Sequence, residues 1–421
     1  MGQPYADGID ADEIDIAHVR SQFPAFERRT PNGEPVVYFD GPGGTQVPRS
    51  VIEAMSGYLA ARNANTDGAF PSSAETDDLI ATARQAAGAF VNGDPSGVAF
   101  GHNMTTLNFS LSRALGRTLR PGDEIVTTRL DHDANISPWL LLAADRDLIV
   151  REVGLTDELE LDERQLRESL SDRTRVVAFT LASNAVGTLT QAAQIALAAH
   201  EVGALAWVDA VAYSAHRRTD VAAIGCDVLL CSPYKFFGPH HGLAWLNPGL
   251  AASLPADRVR PAAQLPVGHR FETGTLSHEA LAGFVAAVEY IESLGRGPDR
   301  RGRLDDAFRR ISVREGLLAE RFVAGLKDVP GVRIAGIDDA DGQRRVGVFG
   351  LITDHQTPSS VAAALASAGV YAWSGNFYAR EVISHLGLDQ DEGLLRIGLY
   401  HYNTEDEIDR CLAVLKDSST T

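Results

Sequence analysis

Leu205-Ala206-Trp207-Val208-Asp209 and Val228-Leu229-Leu230-Cys231-Ser232-Pro233-Tyr234-Lys235-Phe236-Phe237-Gly238-Pro239 each open on a short apolar run that leads to a charged side chain. Runs of this length bounded by turn residues read as buried strands. The first stops at a carboxylate, Asp209, and the second leads to an amine, Lys235, in an apolar setting.

The pattern extends outward. Strands are expected over 98–100, 124–127, 148–153, 175–181, 205–208, 228–231 and 243–246, with helical patterns between them at 105–116, 136–144, 162–170 and 192–202. Alternation of this kind predicts an α/β fold, a mostly parallel sheet covered by helices. The polar strand ends then gather on one edge, where ligands bind. A Gly/Arg/Asp/Pro cluster at 295–302 marks a composition shift, after which helix (304–326), strands (332–334, 346–352), helix (359–368), strand (394–399) and helix (405–415) suggest a smaller α+β domain. The expected division is an N-terminal segment 1–35, a large domain 36–295 and a small domain 296–421, with the first ~70 residues irregular.

Composition removes several classes of function. With 38 basic and 56 acidic residues the net charge is −18, which repels nucleic acid and anionic membranes. The longest apolar stretches, such as 139–144, are too short to cross a bilayer, and residues 1–20 do not read as a signal peptide. The three cysteines, Cys226, Cys231 and Cys411, show no ligand spacing, so neither a disulfide framework nor a metal site is indicated and a cytoplasmic location is expected. Only Lys235, Lys327 and Lys416 are lysines; the latter two lie near helix ends, where a cation complements the dipole.

A carboxylate and a partly desolvated amine at neighbouring strand ends suit pyridoxal phosphate, the lysine forming the Schiff base and the aspartate holding the pyridinium proton. A structural ion pair explains the same two residues. Ser232 and Tyr234 bracket the lysine, and Asn103-Met104-Thr105-Thr106 opens a helix whose backbone amides can bind phosphate, or be plainly capped. His132 follows another strand end and can lie on an aromatic ring, although a lone histidine is more often a packing residue.

The sequence resembles the class V aminotransferase group of fold-type I pyridoxal phosphate enzymes, nearest to its cysteine desulfurase-like branch. The resemblance runs from about residue 19 to the end. It is carried by Tyr38-Phe39-Asp40 with Gly44-Thr45-Gln46, Asp131-His132-Asp133-Ala134-Asn135, Ser183-Asn184-Ala185-Val186-Gly187, Val208-Asp209-Ala210, Ser232-Pro233-Tyr234-Lys235, Arg270-Phe271-Glu272-Thr273-Gly274-Thr275, and Arg396 with Tyr402-Asn403-Thr404. It implies that Lys235 carries the cofactor, Asp209 partners the ring nitrogen, His132 stacks on the ring and Asn184 lies near the ring hydroxyl. Ser232 with Asn103, Met104 and Thr105 would hold the phosphate, joined by Thr275 from the other subunit of a homodimer. Arg396 would take the substrate carboxylate, a task that suits a planar guanidinium.

Three departures stand out. Where a cysteine desulfurase carries Arg-Thr-Gly-His-His-Cys, this chain has Trp373-Ser374-Gly375-Asn376-Phe377-Tyr378, with no thiol. Ala212 replaces a polar residue expected against the ring oxygen, and Tyr234 replaces a histidine; Tyr234 and Tyr213 offer phenols instead. Trp373 and Tyr378 suggest a substrate larger than cysteine, or simple packing. The expected activity is therefore C–S cleavage of an S-substituted cysteine by β-elimination, without a loop cysteine. Decarboxylation with oxidative deamination, transamination, epimerisation and a non-catalytic partner role are the alternatives.

Overall fold

The computed structural model describes residues 14–419, so residues 1–13 of the expected N-terminal segment lie outside the described residues. A two-residue strand, β1 (Val37–Tyr38), precedes two helices, Arg49–Ala61 and Pro71–Val91. Seven strands then follow with helices between most of them: β2 (Val98–Gly101), β3 (Glu124–Thr128), β4 (Ile149–Val153), β5 (Thr174–Thr180), β6 (Leu205–Asp209), β7 (Val228–Cys231) and β8 (Gly242–Leu246). They form one sheet in the order β2-β8-β7-β6-β5-β3-β4. Pairing is parallel from β4 through β7, and β8 runs antiparallel to both its neighbours. The expected α/β class with a mostly parallel sheet is what the chain adopts.

The two runs that open the sequence argument are central strands. Ala206, Val208, Leu229 and Cys231 join the hydrophobic core on one face, and Trp207, Val228 and Leu230 join the core on the other. Period-two alternation therefore buries both faces. At roughly 1.5–3 kcal/mol per buried large apolar side chain, these strands can end on polar groups without losing their place. Trp207 spends its only polar atom internally, its indole Nε1 donating to Asn108 Oδ1 at 2.9 Å.

The reading of the first ~70 residues as irregular is corrected by helix Arg49–Ala61. That helix buries Val51 and Tyr58 and leaves Ile52 and Leu59 exposed, although Val51, Ile52, Met55, Tyr58 and Leu59 recur at helical spacing. It packs against helix His278–Ser293.

Beyond residue 295, helix Arg300–Leu326 leads into β9 (Val332–Ile334) and β10 (Val348–Thr353), then β11 (Val370–Tyr371), β12 (Trp373–Gly375) and β13 (Leu394–Gly398). β12, β13, β10 and β9 form an antiparallel sheet in that order. β1 pairs in parallel with β11, which brings Asp40 and the Gly41–Gly43 turn against this second layer. Among the described residues no helix is long and apolar enough to cross a membrane.

Candidate active site

The ends of β2, β3, β5, β6 and β7 meet at one edge of the large sheet around a pocket. Its walls include Asn103, Met104, Thr105, His132, Asn184, Asp209, Ser232, Tyr234 and Lys235, so the structure brings these sequence-predicted residues together.

After β2, Asn103 caps helix Met104–Gly116, its Oδ1 accepting from the Thr106 amide at 2.8 Å. Met104 N donates to Ser232 Oγ at 3.1 Å, which joins the helix start to the end of β7. The first amides of a helix have no intrahelical partner and face anions favourably. The approach is close: a Cβ on Gly242 would lie 2.5 Å from the Asn103 carbonyl carbon, so only glycine fits there.

After β3, the Asp131 carboxylate accepts from the Thr128 hydroxyl and, at 2.8 Å, from Asn135 Nδ2. Burial, with Asp209 adding to it, pushes Asp131 up to about 8 despite these bonds. The next residue, His132, accepts the Ala134 amide on Nδ1 at 3.0 Å, so the neutral ring carries its proton on Nε2. Burial, then Lys235 and Arg396, lower its pKa to about 4, and the ring is neutral near pH 7.

At the end of β6, Asp209 is 3% exposed and accepts the Val211 amide at 2.8 Å. Burial raises its pKa to about 6, opposed by the Val211 amide and Lys235. Lys235 lies in the turn after β7. Its Nζ donates to Pro42 O and, at 3.2 Å, to Gly43 O. Burial and Arg396 lower it to about 7 against the pull of Asp209. The turn is stapled from outside: Thr45 N donates to Tyr234 O at 3.0 Å, and Thr45 Oγ1 accepts the Phe237 amide at 2.7 Å. The Tyr234 ring stacks on His240 with centroids 4.8 Å apart.

Arg396 comes from β13, in the second layer, and is 5% exposed. Its Nη1 donates to Asn184 O at 2.9 Å and the Phe377 ring covers its guanidinium at 3.8 Å. Nε is buried with no partner among the described residues, which leaves the Nε/Nη2 edge as the one able to take a planar anion. Burial lowers its pKa to about 10, still far above neutrality. Asn184 Nδ2 donates to Phe377 O at 2.8 Å, while its Oδ1 is likewise buried and unpartnered. Asp40, half-buried, is pushed up to about 6 mainly by desolvation, against the pull of Arg396.

Four expected contributors are not among the pocket walls: Arg396, which reaches the site through Asn184, and three more exposed residues. Thr275 is exposed on the segment before helix His278–Ser293. Trp373 is 54% exposed and leans on the Gly41–Gly43 turn, where a Cβ on Gly43 would meet its indole nitrogen at 2.8 Å. Tyr378 is 67% exposed at the rim, its ring 5.3 Å from that of His132. Phe377 and Tyr378 both sit in the left-handed region, at φ 53° and 57°. Each costs on the order of 1–3 kcal/mol for a non-glycine residue.

Asp131, Asp40 and Tyr400 belong to this neighbourhood and were not singled out as site residues in the sequence reading. Asp131 and Asp40 lie inside motifs it quotes, so adjacency to His132 and to the Gly41–Gly43 turn was the available signal. The three thiols are all buried and none lines the pocket, although Cys231 directly precedes Ser232: desolvation raises Cys411 to about 12, and Cys226 and Cys231 are raised as well. Among the described residues no cluster of His, Cys, Asp and Glu is placed to hold a metal ion.

This donor set fits a flat heteroaromatic aldehyde bearing a phosphate. It offers a half-buried amine lowered to about 7, a buried carboxylate, a neutral imidazole, the unpartnered Asn184 Oδ1 and a helix start joined to a serine. Comparison with known proteins points the same way. Residues 37–411 match the family model described as Aminotransferase class-V. A cysteine desulfurase of Synechococcus elongatus is 32% identical over 97% of this chain and 64% of its own length, so this chain spans less than two thirds of that relative. An aminotransferase-like protein of Gibberella zeae is 31% identical over 97% of this chain and 99% of its own. The apo structure of a cysteine desulfurase from Thermococcus onnurineus shares the fold with a TM-score of 0.87 at 24% identity, covering 98% of this chain and all of that one.

Proposed function

The chain belongs to the aminotransferase class-V family, and on that premise we propose that it cleaves the C–S bond of an S-substituted cysteine by β-elimination. It is a pyridoxal phosphate-dependent enzyme of fold type I. The bound cofactor supplies an electron sink that makes the substrate Cα–H bond acidic.

The chain's own residues divide the remaining work. Ser232, Asn103, Met104 and Thr105 hold the phosphate through a hydroxyl and the helix start. Asp209 holds the ring-nitrogen proton; a buried carboxylate pays its desolvation back against a cationic partner. Lys235 anchors the cofactor and then takes the Cα proton on Nζ, since an amine near 7 is a competent base at neutral pH. Arg396 binds the substrate carboxylate on its Nε/Nη2 edge while Asn184 and Phe377 fix its other edge and one face. His132 would stack on the ring, with the proton of its neutral imidazole on Nε2. Tyr234 is assigned to the cofactor wall, and the exposed Thr275 to the phosphate of a partner subunit in a homodimer.

What carries the choice of elimination over sulfur transfer is the 373–378 segment. It has no thiol and is tied down, with Phe377 O accepting from Asn184 and Tyr378 O accepting from Asp133 N at 2.8 Å. Sulfur transfer needs a thiolate that can reach the substrate, and all three thiols here are buried and protonated. Elimination needs none: one S-substituted cysteine and one water give one thiol, one pyruvate and one ammonium. The test incubates the cofactor-loaded enzyme with S-alkyl cysteines and measures thiol and pyruvate, expected in equal amounts. Carbon dioxide, hydrogen peroxide or a keto acid retaining the sulfur substituent refutes the reading.

A further inference from the structure

Phe377 and Tyr378 are consecutive, both left-handed, and both held by the pocket itself. Asn184 Nδ2 holds the first carbonyl, the Asp133 amide holds the second, and Asn376 Oδ1 accepts the Tyr378 amide at 2.9 Å. Asn376 is fixed in turn, its Nδ2 donating to Gln390 O at 2.9 Å. A strained pair restrained from several directions is a built feature whose side-chain directions are its product.

Those directions differ. The Phe377 ring is committed to the Arg396 guanidinium at 3.8 Å, whereas the Tyr378 ring tilts 37° to the His132 ring and stays 67% exposed. A ligand whose carboxylate takes the Arg396 edge has Tyr378, one residue on from Phe377, as the rim wall available to its side chain. Trp373, the cross-strand neighbour of Arg396, has its indole against the Gly41–Gly43 turn instead of the His132 ring.

We propose that Tyr378 is the specificity-determining residue of this pocket and that it selects amino acids carrying a flat aromatic or heteroaromatic side chain or sulfur substituent. An aromatic face at the rim rewards a planar partner over an aliphatic one of similar bulk, since ring pairs gain from their electrostatics beyond area alone. The inference rests on an α-amino acid binding at Arg396 and not on C–S cleavage.

The experiment titrates the cofactor-loaded enzyme with L-phenylalanine and L-leucine and follows the cofactor absorbance as the readout of binding. Neither ligand has a C–S bond, so the result stands whether or not the lyase assay succeeds. The native enzyme is expected to favour phenylalanine, and Tyr378→Ala to reduce the phenylalanine-to-leucine ratio of affinities about three- to tenfold. Tyr378→Phe should keep the ratio. Tyr378→Asn, which tolerates a left-handed backbone, should lose it as the alanine variant does without added strain. No preference in the native enzyme, equal weakening of both ligands in the alanine and asparagine variants, or loss of the ratio in Tyr378→Phe overturns the proposal.

Discussion

Replacing Arg396 by lysine keeps a positive charge and removes a shape. The guanidinium has one edge on Asn184 O, one face under Phe377 and the Nε/Nη2 edge for the substrate, so a carboxylate there gains two charge-assisted hydrogen bonds. Each is worth roughly 1.5–3 kcal/mol, and a lysine ammonium supplies at most one of them in this geometry. The loss of one bond is about 1.5–3 kcal/mol, or roughly 10- to 150-fold in affinity at about 1.4 kcal/mol per decade. The assay compares each amino acid with its decarboxylated amine, both titrated against the cofactor absorbance of native and Arg396→Lys enzyme. Disturbance of Asn184, whose carbonyl loses its donor, weakens both ligands and cancels in the ratio. The amino acid should lose 10- to 150-fold more than the amine, about the cost of one charge-assisted bond. Equal losses for the pair, or none for either, refute the assignment of Arg396 to the carboxylate.

Four further outcomes follow from the site and its supports. Asp209 is protonated in the folded, cofactor-free chain up to about pH 6, whereas the unfolded chain ionises from 3.8; its burial penalty grows across that window and is full above it. Chemical denaturation of cofactor-free Asp209→Asn should therefore show a gain of about 3 kcal/mol at pH 7 that vanishes near pH 4, and no gain at pH 7 contradicts it. Lys235 must be neutral to attack an aldehyde, so capture of pyridoxal phosphate by the cofactor-free protein should rise with pH through about 7, with no borohydride-stable adduct in Lys235→Arg; a midpoint near 10 would disprove the burial argument. Alanine at Cys226, Cys231 and Cys411 together should leave turnover per folded enzyme intact, and its loss would restore a thiol mechanism. Glu272 accepts from Arg84 at 2.7 Å and from the Phe100 amide at 2.9 Å, and pairs with His269 at 2.6 Å. Although burial alone pushes its carboxyl up, His269 and Arg84 hold it below the usual range. Glu272→Gln should cost roughly 3–5 kcal/mol in denaturant titrations by leaving Arg84 buried without a counter-charge.

The central sheet was readable because β6 and β7 are apolar on both faces and stop abruptly at polar residues. Lys235 and Asp209 were readable for the same reason, since strand ends locate side chains along the chain. The direction of β8 was not: an apolar run carries no mark of parallel or antiparallel pairing, and its Gly242–Leu246 pattern suits either. β11 and β12, of two and three residues, are shorter than any period can register. The aromatic segment was ambiguous between packing and recognition, and the structure divides it by residue: Phe377 packs on Arg396, whereas Tyr378 remains exposed at the rim. That division depends on two positive φ angles, for which neither a phenylalanine nor a tyrosine gives a compositional signal.

The pairing of β1 with β11 also sets a timetable for biosynthesis. Val37 finds its partner at Val370, so on a ribosome the first strand emerges some 330 residues ahead of its mate. At about 5–20 residues per second this leaves an apolar Val36–Phe39 stretch unpaired for roughly 15–70 s. The interval exposes it to aggregation or to a chaperone. The same delay governs the lysine amine, whose carbonyl acceptors at Pro42 and Gly43 are held in place by this strand. A nascent chain released before residue 371 has its lysine and the Gly41–Gly43 turn but lacks the strand that seats that turn on the second layer.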